Sequence, residues 1–112
     1  MAKAVELEAR AARDIEVAVE YYAVEAGEDV VLRFVSELKG AFEYLANYPT
    51  SGSLRWSHEL GIPELRSWSL QRFPYIVFYI DKPSAIDIWR VLHARRDVPA
   101  ALAPSGGATG TA

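Results

Sequence analysis

The sequence contains no cysteine, so disulfides, thiolate zinc sites, iron–sulfur clusters and a cysteine nucleophile are excluded. Its two histidines, His58 and His93, are too few for a histidine metal cage, and no Asp/Glu/His grouping has metal-ligand spacing. No metal and no cofactor are expected. The seven glycines form no phosphate-binding loop; the Gly106-Gly107 pair sits in a small-residue tail. No apolar run reaches the ~18 residues of a membrane helix, and Met1-Ala2-Lys3-Ala4-Val5-Glu6 carries no secretory core. A cytoplasmic chain with no membrane role is the expectation. An excess of positive charge is also missing. The net charge is −3, which speaks against indiscriminate binding to phosphate backbones.

What remains is a chain of 112 residues, 51% hydrophobic and 24% charged, with room for one globular domain. The charge is uneven along it. Residues 1–50 hold five bases against ten acids, whereas residues 51–112 hold seven bases against five acids. A solvated acidic helical half accounts for most of this, and a local basic site in the second half stays open.

From about Ala9 the apolar residues Ala11, Ile15, Ala18, Val19 and Tyr22 recur at helical spacing. Gly27 is a helix stop, and Glu28 and Asp29 suit the start of the next helix. Val31, Phe34, Val35, Leu38, Ala41, Phe42 and Leu45 form its apolar stripe, which ends at Asn47-Tyr48-Pro49. Two helices joined this closely form an antiparallel hairpin. Residues 50–63 read as a Gly/Ser/Pro-rich loop carrying Trp56 and His58.

Beyond the loop the period changes to that of strands. Leu65–Gln71 alternates Arg66, Trp68 and Leu70 with Ser67 and Ser69. Arg72-Phe73-Pro74 breaks the run, and Tyr75–Ile80 is apolar on both faces. Asp81–Ser84 is a turn. In Ala85–His93, alternation sets Ile86 and Ile88 against Asp87, Trp89 and Val91. Ala4–Leu7 is too short for its period to separate strand from helix start. The expected fold is α+β: a helical hairpin on a small, mainly antiparallel sheet of three or four strands. The domain spans residues 1–103, with 104–112 a disordered tail.

One hairpin covers only one face of such a sheet. The pattern therefore leaves either a strongly curled sheet or an open apolar groove near Trp68, Tyr75, Val77 and Trp89 that a partner's helix or strand would fill. At the end of the last strand, His93 leaves together with Arg95 and Arg96, and Arg66 and Arg72 can approach that end. Guanidinium forks and a histidine suit phosphoryl chemistry such as RNA cleavage. The same residues serve equally as ion-pair partners of Asp97 or the acidic helices. Ser57-His58-Glu59 puts three catalytic residue types side by side, but adjacent residues rarely form a relay.

Taken in order, several pieces resemble the RelE/ParE superfamily, the toxins of bacterial type II toxin–antitoxin systems. These are Asp14-Ile15, Tyr21-Tyr22, Phe34–Leu45, Pro49-Thr50-Ser51-Gly52, Leu65-Arg66, Phe73–Tyr79 and Val91-Leu92-His93-Ala94-Arg95-Arg96-Asp97. The resemblance implies that Ala4–Leu7 is a first strand. It implies one of two activities: ribosome-dependent mRNA cleavage in RelE-like members, or poisoning of DNA gyrase in ParE-like members. It also implies a cognate antitoxin that wraps the toxin and through which alone operator DNA is contacted. Arg66 matches the sheet arginine of the nucleases, and Arg95 and Arg96 lie where those keep a basic residue. Asp97-Val98-Pro99-Ala100 supplies no catalytic tyrosine, and the net charge is not that of an rRNA binder. The His-Ala-Arg-Arg-Asp ending resembles ParE-like sequences more closely. The expectation is a ParE-like gyrase poison, not an enzyme. The antitoxin would be held at Trp68, Tyr75, Val77 and Trp89, with Arg95 or Arg96 taking an acidic side chain. The alternatives are a RelE-like nuclease using Arg66, His93, Arg95 and Arg96, or an inactive member that only binds antitoxin.

Overall fold

A computed structural model describes residues 2–102. The expectation of a disordered tail at 104–112 falls outside them. Two long helices, α1 (Ala9–Glu25) and α2 (Glu28–Asn47), form the expected hairpin. Gly27 turns it with φ of +94°, a conformation that a Cβ would strain, so the stop read from the sequence is a backbone requirement. Ala11, Ala18, Phe34, Leu38, Ala41 and Leu45 are buried at the hairpin–sheet interface.

Four strands, β1 (Ala4–Leu7), β2 (Leu65–Ser69), β3 (Tyr75–Asp81) and β4 (Ala85–His93), form one sheet in the order β1-β4-β3-β2. β1 runs parallel to β4; the other two pairings are antiparallel. Tyr75, Val77 and Tyr79 of β3 face the helical hairpin, while Phe78, Ile76 and Ile80 face the other way. Strict alternation would place Val91 opposite Ile86 and Ile88. It joins them instead, because the register shifts at Phe78/Tyr79, pairing Phe78 with Arg90 and Tyr79 with Ile88. The bulge gives β4 one extra residue and returns Val91 to the hairpin side.

The second face of the sheet is not open. A 3-10 turn (Pro49–Ser51) leads into the expected loop, which contains a short helix, α3 (Arg55–Leu60), and after β4 comes α4 (Val98–Leu102). Trp56, Leu60, Val98, Ala101 and Leu102 pack on Leu65, Phe78 and Leu92 and form a second apolar core there. α3 ends on Gly61 in the left-handed conformation, φ +66°, which glycine adopts without Cβ strain.

Candidate partner-binding surface

The sequence-predicted residues do not gather in one place. Arg66, in mid-β2, turns its guanidinium onto the chain that follows α2, donating from Nη1 to the carbonyls of Thr50 (3.1 Å) and Gly52 (2.8 Å). Tyr79 supports the same loop from β3. Its hydroxyl accepts from the Gly52 N–H at 2.9 Å and donates to the Pro49 carbonyl at 2.7 Å. Burial pushes the Tyr79 phenol above its usual range, which the Gly52 N–H partly offsets.

His93 sits at the other end of the sheet. Arg66 pairs with Tyr79 and His93 with Tyr75, so the two lie about 13 Å apart along the strands and about 10 Å across them. The His93 ring packs edge-on against Tyr75, with centroids 5.2 Å apart, and its Nδ1 accepts from the Arg95 N–H at 3.1 Å. Nδ1 is thus occupied by a turn contact and the ring serves as a corner post. Arg95 and Arg96 are exposed on that turn.

The aromatic quartet expected to line one groove is also divided. Val77 is fully buried and Tyr75 nearly so, under the hairpin; burial raises the Tyr75 phenol, and neighbouring Tyr22 adds to it. Trp68 lies on the hairpin side at the β2 edge, stacked on Tyr44 at 5.1 Å and 28°. Trp89 lies on the opposite face, against the second core. A groove shared by Trp68 and Trp89 is therefore corrected by the alternation of faces and by α3 and α4. Ser57, His58 and Glu59 are successive residues of α3, and the Ser57 hydroxyl donates to the Ile62 carbonyl at 2.8 Å, so they form no relay.

Two concavities do meet at the outer edge of β2. On the hairpin side, about 830 Å³ opens between α2 and β2, with Ala41, Tyr44, Trp68 and Leu70 as apolar walls and Arg33 and Arg72 at its sides. On the other side, about 810 Å³ is lined by Ser53, Ser67, Ser69, Arg55 and Arg96. Sequence reasoning missed Arg33, Tyr44 and Arg55 as members of these surfaces. Among the described residues no group of three or more His, Asp and Glu side chains is placed to hold a metal ion.

Residues 5–98 match the family model described as the ParE toxin of the type II toxin–antitoxin system parDE. The chain belongs to this family. It is a ParE-type toxin of a type II toxin–antitoxin system, as its α+β fold and ordered motifs imply. A solved structure from a chromosomal ParDE toxin–antitoxin system of P. aeruginosa is similar to this toxin in fold. The TM-score is 0.69 at 20% sequence identity, covering 83% of this chain and 97% of that one. No curated protein sequence matches the toxin. No described helix is long and apolar enough to cross a membrane.

Proposed function

We propose that this ParE-type toxin stops bacterial growth by poisoning DNA gyrase, without cleaving RNA, and that a cognate antitoxin neutralises it. The observation that carries the non-nucleolytic reading is the separation of Arg66 from His93. A phosphoryl-transfer site needs its base and its cation within reach of one phosphate. Here Arg66 is committed to two loop carbonyls and the accepting nitrogen of His93 to a turn amide.

The antitoxin reading is supported by the unfilled α2–β2 groove, where a partner's apolar residues would cover Trp68 and Tyr44. Of the residues expected to hold the antitoxin, Trp68 and Arg96 remain in the proposal. Tyr75 and Val77 lie in the same core as Trp68 and support it, and Trp89 and Arg95 do not line this groove.

Expression of the toxin without its antitoxin tests the reading. Growth arrest with inhibited gyrase supercoiling and trapped cleavage complexes is expected. Normal growth would mark an inactive, antitoxin-binding member instead.

A further inference from the structure

α1 carries an apolar row that the fold does not use. Val17, Tyr21 and Val24 follow one another at spacings of four and three, so they lie in line on one side of the helix. They are 51%, 57% and 81% exposed, whereas Ala11, Ala18 and the half-buried Tyr22 turn to the core. Neither concavity beside β2 reaches them.

Charge is sorted along the same side. Arg10 and Arg13 precede the row in the same spacing, Glu20 and Glu25 flank its far end, and Glu28 and Asp29 come just past the Gly27 turn. Arg13 reaches only Glu16, at 3.4 Å, with both side chains mostly exposed. Glu20, Glu25, Glu28 and Asp29 form no ion pair among the described residues. The first turn of α1 holds no acid and its last turn no base, the reverse of what its dipole favours.

We propose that this side of α1 is a self-association surface, on which the α1 of a second copy docks antiparallel. The row is basic, apolar and acidic in turn, and such a pattern complements itself only when reversed. With the helices meeting between Glu20 and Tyr21, Val17 of each copy lies level with Val24 of the other and the two Tyr21 rings meet at the centre. Arg13 then lies level with the hairpin turn that carries Glu28 and Asp29, and each acidic helix end sits beside a basic helix start. Parallel docking would set Arg13 against Arg13 and Glu20 against Glu20. A uniformly basic partner would be repelled by Arg10 and Arg13, and an acidic one, an anionic lipid surface included, by the four acids. One helix pair makes a small interface, so the dimer is reversible and forms as concentration rises.

The test uses the full chain, whose lack of cysteine lets single thiols be introduced cleanly. Sedimentation of the wild-type toxin across ~10–500 μM should show a monomer–dimer equilibrium. Val17→Cys and Val24→Cys toxins, mixed at the high end of that range and oxidised with diamide, should cross-link to each other about tenfold more than either does to itself. Like positions lie about 10 Å apart along the antiparallel helices, beyond the reach of a disulfide. Val24→Glu, at a position too exposed to support the fold, should keep its circular dichroism and weaken the dimer about tenfold or more. A toxin monomeric throughout that range overturns the proposal. Self-linking equal to cross-linking overturns the antiparallel arrangement, and a dimer that Val24→Glu leaves intact places the contact on another face. A monomeric toxin whose complex with antitoxin is weakened by Val24→Glu overturns self-association and gives the row to the antitoxin.

Discussion

Asp14 on α1 and Arg90 on β4 meet in a two-point ion pair, with Nε 2.7 Å from Oδ2 and Nη2 2.8 Å from Oδ1. Both side chains are about nine-tenths buried. β1 pairs only as far as Ile88, so β4 continues beyond it with a bare edge, and Asp14 also accepts from the Val91 N–H there at 3.0 Å. The remaining Arg90 nitrogen, Nη1, donates to the Ala101 carbonyl at 2.6 Å, tying α4 to the same pair. The Asp14 hydrogen bonds raise the guanidinium above its ordinary value, against a smaller opposing effect of burial. One ion pair thus joins the hairpin, the sheet and the carboxyl-terminal helix.

Asp14→Ala leaves Arg90 buried without its counter-ion and the Val91 N–H without an acceptor. The expected loss is about 3–5 kcal/mol, read as a fall in the urea midpoint. Replacing both residues by apolar ones of similar size should cost less than Asp14→Ala alone. A single variant as stable as wild type would contradict this role.

At Gly52 the chain passes so close to β3 that an added Cβ would lie 2.6 Å from the Tyr79 hydroxyl and 2.8 Å from its ring. Gly52→Ala therefore forces either the loop or a fully buried ring to move. A loss of about 1–3 kcal/mol is expected, with the Arg66–loop contacts loosened. Thermal unfolding of Gly52→Ala and of Gly52→Ala with Tyr79→Phe reads this. Tyr79→Phe alone loses the hydroxyl's bonds to Gly52 and Pro49, so the Gly52→Ala loss should be smaller in the Tyr79→Phe background than in wild type. An equal loss in both backgrounds would place the strain elsewhere.

Much of this arrangement was legible in the sequence, and the misses share a physical cause. The hairpin announced itself because α1 and α2 are long enough for the 3.6 period to repeat, with Gly27 between them. α3 and α4 hold six and five residues, too few to show a period, so the cover on the second face was invisible, and a curled sheet or an open groove was expected in its place. Gly61 after Leu60 was the one local trace of α3. The bulge in β4 inserts a single residue and turns Val91 over, which no alternation count can anticipate. Arg90, a lone charge in the apolar run Ile88-Trp89-Arg90-Val91-Leu92, was passed over in the sequence, and nothing local to it points to Asp14, 76 residues away, as its partner. Arg66 fitted a nuclease motif by position; only its contacts reveal that it holds a loop.

The start of α1 carries a pH-sensitive contact. Asp87 is buried, its Oδ2 is 3.1 Å from the Lys82 ammonium, and its Oδ1 has no hydrogen-bond partner among the described residues. Asp87, able to accept a hydrogen bond from a protonated Glu8 and repelling a charged one, raises the Glu8 carboxyl above its ordinary 4.5. Protonated Glu8 is then the donor that Asp87 lacks. Folded Glu8 holds its proton more tightly than unfolded Glu8, so this contribution is full below about pH 4.5 and is lost as pH rises through the raised value. Glu8→Gln should flatten that part of the stability curve. Urea midpoints measured between pH 4 and 7 check this, and an unchanged slope in the variant would contradict it.

Arg66→Ala should weaken the toxin through its fold alone. Its two loop carbonyls lose their donor, at about 1–2 kcal/mol. Gyrase inhibition per folded molecule should stay within about twofold of wild type, a free-energy difference under about 0.5 kcal/mol. A loss of a hundredfold or more in a stably folded Arg66→Ala protein would make Arg66 part of the inhibitory surface.

The most direct measurement sets purified toxin, freed of antitoxin, against two targets side by side: DNA gyrase, followed by supercoiling and trapped cleavage complexes, and mRNA on programmed ribosomes. The separation of Arg66 from His93 predicts intact mRNA, and the proposed ParE-type action predicts inhibited gyrase. Cut mRNA with gyrase untouched would contradict it, and would require Arg66, His93, Arg95 and Arg96 to converge in a conformation different from the one described.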